Sequence, residues 1–102
     1  MATSILLNNE LSRFEIYLDG ELAGFAEFKL RDGKMALPHT EIDPKFGGQG
    51  LGSALIQYAL DDAAIKKLLV APYCPFVSKY IAKNPDKYLF LVPEADRAKF
   101  GL

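Results

Sequence analysis

Between Phe14 and Asp19 apolar and polar side chains alternate. Phe14, Ile16 and Leu18 are set against Glu15, Tyr17 and Asp19, the period of two expected of a half-buried strand. Asp19-Gly20 then supplies a tight hairpin signal, because both central positions of the favoured two-residue turn need positive φ. In the returning segment Ala26, Phe28 and Leu30 share one face and Glu27, Lys29 and Arg31 the other, until a second turn signal at Asp32-Gly33. An antiparallel meander is predicted. Its third strand, Lys34 to Ile42, starts with Met35 and Leu37 on one face but would put Ile42 on the opposite face if alternation were unbroken. Pro38 stands where the phase changes, so either the strand ends there or a bulge between Pro38 and Thr40 repairs the pattern and splays the strand from its neighbour.

From Gly50 to about Lys67 the spacing becomes helical. Ser53, Gln57 and Asp61 make a narrow polar stripe and nearly all else is apolar, as in a helix buried against a sheet. Leu68 to Ala71 suits a short interior strand, which makes strand, helix and strand a crossover unit. Pro75 fits the first position of a second helix, with Phe76, Val77, Tyr80 and Ile81 along one side and Asn84-Pro85 as its stop. Tyr88 to Val92 has the length and composition of a last strand, and Pro93 can open a final short helix. The fold class is therefore α/β of the α+β type, a mainly antiparallel mixed sheet with one helical crossover.

Composition sets outer limits. A chain of 102 residues, half of them apolar, reads as one domain, 1–102, able to fold without staples. Its formal charge of −1, with acids and lysines interspersed, argues against nucleic acid as a partner. One cysteine cannot close an internal disulfide, and one cysteine with one histidine is a poor basis for a metal site. The stretch before Phe14 has no basic start and only a short apolar run, so neither a signal peptide nor a membrane span is expected, and a cytoplasmic location is the default.

The chemistry concentrates in Ile42 to Leu55, IDPKFGGQGLGSAL, where glycines run from a strand end directly into a helix start. Such a junction makes an anion site, because the first helical amides have no partner inside the helix and glycine lets the backbone approach a ligand closely. A nucleotide P-loop would need Lys and then Ser or Thr after its last glycine, yet Ser53-Ala54 follow Gly52; the dinucleotide fingerprint fails because Ser53 or Leu55 stands at its third glycine. Gly47-Gly48-Gln49-Gly50-Leu51-Gly52 instead resembles the coenzyme A pyrophosphate loop of the GCN5-related N-acetyltransferases, Q/R-x-x-G-x-G/A. Gly47 departs from it by occupying the Arg or Gln slot. His39-Thr40-Glu41-Ile42 before the loop, and Cys74-Pro75-Phe76-Val77 with Tyr80 after it, look like a very small single-domain branch of that family, over roughly Phe14 to Tyr80.

The resemblance implies a bulge rather than a strand end at Pro38, with the acyl-pantetheine arm in the gap it opens. It also implies acetyl-CoA as acyl donor and coenzyme contacts from Ile42, Asp43, Gly47, Gly48, Gln49, Gly50, Leu51, Gly52 and Ser53. Cys74, just before a helix-starting proline, is placed for a thiolate nucleophile and equally for a small buried hydrophobe. His39 could take a proton from an amine; Glu41, two residues on, matches the strand from which related enzymes draw a carboxylate base. Tyr80 matches a tyrosine that donates to the coenzyme sulfur in this class, and would otherwise be core with its hydroxyl at the rim. Transfer of an acetyl group to a small-molecule or peptide amine is the implied activity. A non-catalytic CoA or acyl-CoA binding module and an interaction domain with an empty loop are the rivals, and a homodimer could complete an acceptor site.

Overall fold

The computed structural model describes residues 2–102. Five strands, β1 (Thr3–Asn8), β2 (Arg13–Leu18), β3 (Glu21–Arg31), β4 (Lys34–Ile42) and β5 (Leu69–Ala71), form one sheet in that spatial order. Neighbours are antiparallel except β4 and β5, which run parallel around the crossover helix α1 (Leu51–Ile65). Two further helices follow, α2 (Pro75–Lys83) and the single turn α3 (Pro85–Tyr88). Both hairpin turns form where expected: Asp19 and Gly20 have φ of 51° and 84°, Asp32 and Gly33 of 52° and 76°.

The core lies between one sheet face and the helices. Phe14, Ile16, Ala26, Met35, Leu37 and Val70 meet Leu55, Ile56, Ala59 and Leu60 of α1 and Val77 and Ile81 of α2, all buried. Tyr88 fastens α3 to α1, its hydroxyl donating to Asp61 Oδ1 at 2.9 Å; burial, then that carboxylate, pushes the phenol above its ordinary range. On the sheet face turned away from α1, Glu15 is only 3% exposed. Arg13 Nε, Tyr17 Oη and Asn8 Nδ2 donate to its carboxylate at 2.6, 2.8 and 3.2 Å.

Two parts of the chain differ from expectation. The N-terminal stretch, in which no strand is expected, is an edge strand: β1 pairs along its whole length with β2, from Thr3 opposite Leu18 to Asn8 opposite Arg13. Tyr88 to Val92 is not a strand. It closes α3 and continues as a 3-10 turn over Leu89–Leu91, burying Tyr88, Leu91 and Val92, the i, i+3, i+4 spacing of helical packing. Pro93 does precede a short 3-10 helix, Glu94–Asp96.

Candidate functional site

The bulge is present and lies at Leu37-Pro38. Glu27 pairs with His39 and Lys29 with Ala36, so Phe28 alone on β3 faces two residues of β4. The extra residue restores the phase and turns Ile42 toward the core. Beyond the bulge β4 loses its other neighbour. Its parallel pairing with β5 covers only Lys34 to Ala36, and one more bond follows, from the Cys74 amide to the Leu37 carbonyl at 2.8 Å. From there β4 and the segment entering α2 part. The Asp43 amide donates to the Ala23 carbonyl at 2.8 Å, so by strand alternation His39 and Glu41 bond toward β3, while the backbone groups of Thr40 and Ile42 point into the gap. The Thr40 hydroxyl oxygen is also buried without a partner among the described residues.

At the end of β4 the side chain of Asp43 accepts from the Lys45 amide at 3.0 Å and starts a 3-10 turn, Pro44–Phe46. The glycine loop follows. Gly48 and Gly50 have φ of 78° and 74°, the left-handed region that an L side chain enters only with strain, and Gly50 caps α1 without a side-chain bond. The first helical bond of α1 runs from Ala54 to the Gly50 carbonyl at 3.1 Å, and none of the amides of Gly48, Gln49, Gly50, Leu51, Gly52 and Ser53 donates to another described group. They border a cavity of about 260 Å³ whose other walls are Ile42, Phe46, Gly47 and Phe76. No charged side chain lines it. An anion placed here would meet only amides and the positive end of a helix of 15 residues. A Cβ on Gly50 would meet nothing within 4 Å, so that position opens freely on the cavity; a Cβ on Gly52 would stand 2.9 Å from the Phe76 ring.

Around the gap, Cys74 is the residue before α2, 7% exposed and offering no side-chain cap. His39 and Glu41 share the face turned away from α1, Nε2 and Oε1 3.3 Å apart and both exposed. Phe25 lies between them and the buried Glu15 cluster, its ring 6.0 Å from the His39 ring, with the Arg13 guanidinium 4.5 Å over its centroid. Tyr80 is half-buried on α2 and lines a second cavity, about 190 Å³, with Ser53, Phe76, Lys79 and Lys83. Its hydroxyl has no hydrogen bond to a described residue, and its ring is 5.9 Å from that of Tyr88. Phe76, Lys79 and Lys83 line these cavities but are not among the coenzyme contacts that the resemblance implies, although the i, i+4 spacing of the lysines is legible in the sequence.

A family model described as GCN5-related N-acetyl-transferase matches residues 13–91. The chain belongs to that family. Among solved structures, a GCN5-like protein from Staphylococcus aureus, itself described as a putative N-acetyltransferase, is similar over 88% of this chain and 87% of its own, at 21% identity and a TM-score of 0.64. The ribosomal-protein-S18-alanine N-acetyltransferase of Escherichia coli shares 25% identity over 57% of this chain, with a TM-score of 0.55. The PaiA N-acetyltransferase of Thermoplasma acidophilum, solved in complex with coenzyme A, shares 24% over 56%, with a TM-score of 0.52. This family member spans only 38% and 36% of those two chains. None of the curated proteins matches it in sequence. Among the described residues, no helix is long and apolar enough to cross a membrane.

Proposed function

We propose that this protein binds acetyl-CoA and transfers its acetyl group to an amine. The observation that carries the reading is the run of unpartnered amides from Gly48 to Ser53, set at the head of α1 beside the open seam of the sheet. A pyrophosphate fits the amides, and the pantetheine amides can pair with the free backbone groups of Thr40 and Ile42. Ile42, Gly47 and Gln49 wall the same cavity, whereas Asp43 shapes the turn that leads into it.

In the direct route Glu41, with His39 beside it, takes a proton from the incoming ammonium. The freed nitrogen lone pair attacks the thioester carbonyl, backbone amides stabilise the oxyanion, the C–N bond forms and the C–S bond breaks. CoA leaves as thiolate and takes up a proton. In the covalent route the Cys74 thiolate attacks the thioester carbonyl and expels CoA thiolate, and the amine then attacks the acetyl-Cys74 thioester, forming the C–N bond, giving up its proton and releasing the Cys74 thiolate. Tyr80, whose hydroxyl is unengaged, donates to the bound coenzyme.

Release of free CoA that depends on added amine, followed with a thiol reagent across a panel of small amines and peptides, tests the reading. Tight CoA binding with no turnover on any acceptor would make the protein a CoA-binding module instead. No CoA binding by calorimetry would leave the loop without a ligand and remove the proposal.

A further inference from the structure

The second cavity is contiguous with the glycine-loop cavity, because Ser53 and Phe76 wall both. It differs in charge. Lys79 and Lys83 lie four residues apart on α2, both exposed, and neither forms an ion pair with a carboxylate among the described residues. The sequence of α2, PFVSKYIAK, contains no acid. In a chain of net charge −1 this is a local surplus of cation that no described carboxylate pairs with. Phe76 is the partition between the cavities and is 43% exposed, so its ring offers a flat apolar face to whatever crosses from one to the other.

Direction follows from the helix. Cys74 heads α2 at the gap, and Lys79 and Lys83 lie ~7 to ~14 Å further along its axis at 1.5 Å per residue. A coenzyme with its pyrophosphate on the amides of α1 and its pantetheine in the gap has its adenosine half on the other side, and that half carries one more phosphate, on the ribose. Resting on the CoA reading above, we propose that Lys79 and Lys83 form a phosphate subsite that grips the 3′-phosphate of CoA and so selects CoA over dephospho-CoA. The glycine loop, which has no charged side chain, holds the pyrophosphate common to both; discrimination resides in the two lysines.

Calorimetric titration of the intact protein with CoA and with dephospho-CoA tests this, using wild type, Lys79→Ala, Lys83→Ala and the double variant. Both side chains are exposed, so the variants keep the fold. Wild type should bind CoA about tenfold more tightly, the effect of one exposed charge-assisted contact, and the double variant should bind CoA no better than dephospho-CoA, with dephospho-CoA affinity unchanged. Equal wild-type affinity for the two ligands, or equal weakening of both in the double variant, would overturn the subsite while leaving the CoA reading in place. Absence of binding to either ligand in wild type would overturn both.

Discussion

Gly50→Val separates a loop built to meet a phosphate from a loop that merely turns. At φ 74° an L residue is strained by about 1–2 kcal/mol, and a β-branched one lies toward the top of that range. Apart from its immediate chain neighbours, no described residue comes within 4 Å of the added Cβ, so no tertiary clash adds to the strain, and for a chain of this length the loss amounts to a fall in melting temperature of roughly 4–16 °C. The open space is the cavity itself. Methyl groups there hold a pyrophosphate away from the neighbouring amides, and loss of two charge-assisted bonds at ~1.5–3 kcal/mol each lowers CoA affinity by about two to four orders of magnitude. Gly20→Val is the matched control: φ is 84°, nothing lies within 4 Å, and the residue sits in the β2–β3 hairpin. Thermal melts and CoA calorimetry on both variants should show similar destabilisation but an affinity loss only for Gly50→Val. If folded Gly50→Val binds CoA as wild type does, the anion assignment of the loop is wrong.

Three more outcomes are expected. If the covalent route operates, wild type incubated with acetyl-CoA gains one acetyl group on Cys74 by mass spectrometry and Cys74→Ala loses transfer by orders of magnitude; near-normal turnover without the adduct makes Cys74 a packing residue. Tyr80→Phe should melt close to wild type and lower kcat by ~10²–10⁴-fold if the hydroxyl protonates the leaving sulfur, whereas weaker CoA binding at unchanged kcat would assign it to the adenosine half. For Glu15, burial raises the carboxyl pKa but the bonds from Arg13, Tyr17 and Asn8 outweigh it, so the folded value lies below the ordinary 4.5. That stabilisation is complete above the unfolded pKa and is lost as pH falls through the folded one. Glu15→Gln should therefore cost about 1–3 kcal/mol at neutral pH and flatten the acid limb of a stability-against-pH curve; parallel limbs for wild type and variant would refute the linkage.

The parts of this fold legible in sequence are those where one local rule dominates. Asp19-Gly20 and Asp32-Gly33 are compatible with little except tight turns, and Pro38 at a change of phase, unable to donate to a ladder, marks either a strand end or a bulge, between which the family resemblance chose the bulge. The bulge sits one residue earlier than the pattern alone placed it. Thr3 to Asn8 escaped notice because only Ile5 and Leu7 turn to the core, both half-buried, and the apolar Leu6 between them masks the alternation, and Tyr88 to Val92 because a short apolar run suits either a strand or a helical turn. At the site, the glycine cluster and the His39–Glu41 proximity follow from spacing, but the Phe76 ring over Gly52 and the cavity joining Ser53 to Lys79 and Lys83 exist only once α1 and α2 are packed together. Glu15 was legible as facing away from the core, not as buried, because its cover comes from Asn8 and Tyr17 on two strands.

If the protein binds CoA as proposed, the seam between β4 and β5 gives the coenzyme the place of a missing strand. Among the described residues the sheet is bonded across it from Gly33 to Leu37 and no further, so in the free protein the Thr40 and Ile42 amides face an open slot. Hydrogen exchange at those amides should be fast without ligand and slow when pantetheine lies alongside, and the melting temperature should climb with coenzyme concentration by mass action. On that reading the protein would finish its own sheet each time it loads and undo it each time product departs. Turnover and local opening would then be one motion, and over-stabilising the seam, for instance by lengthening β5, should retard product release while it hardens the fold.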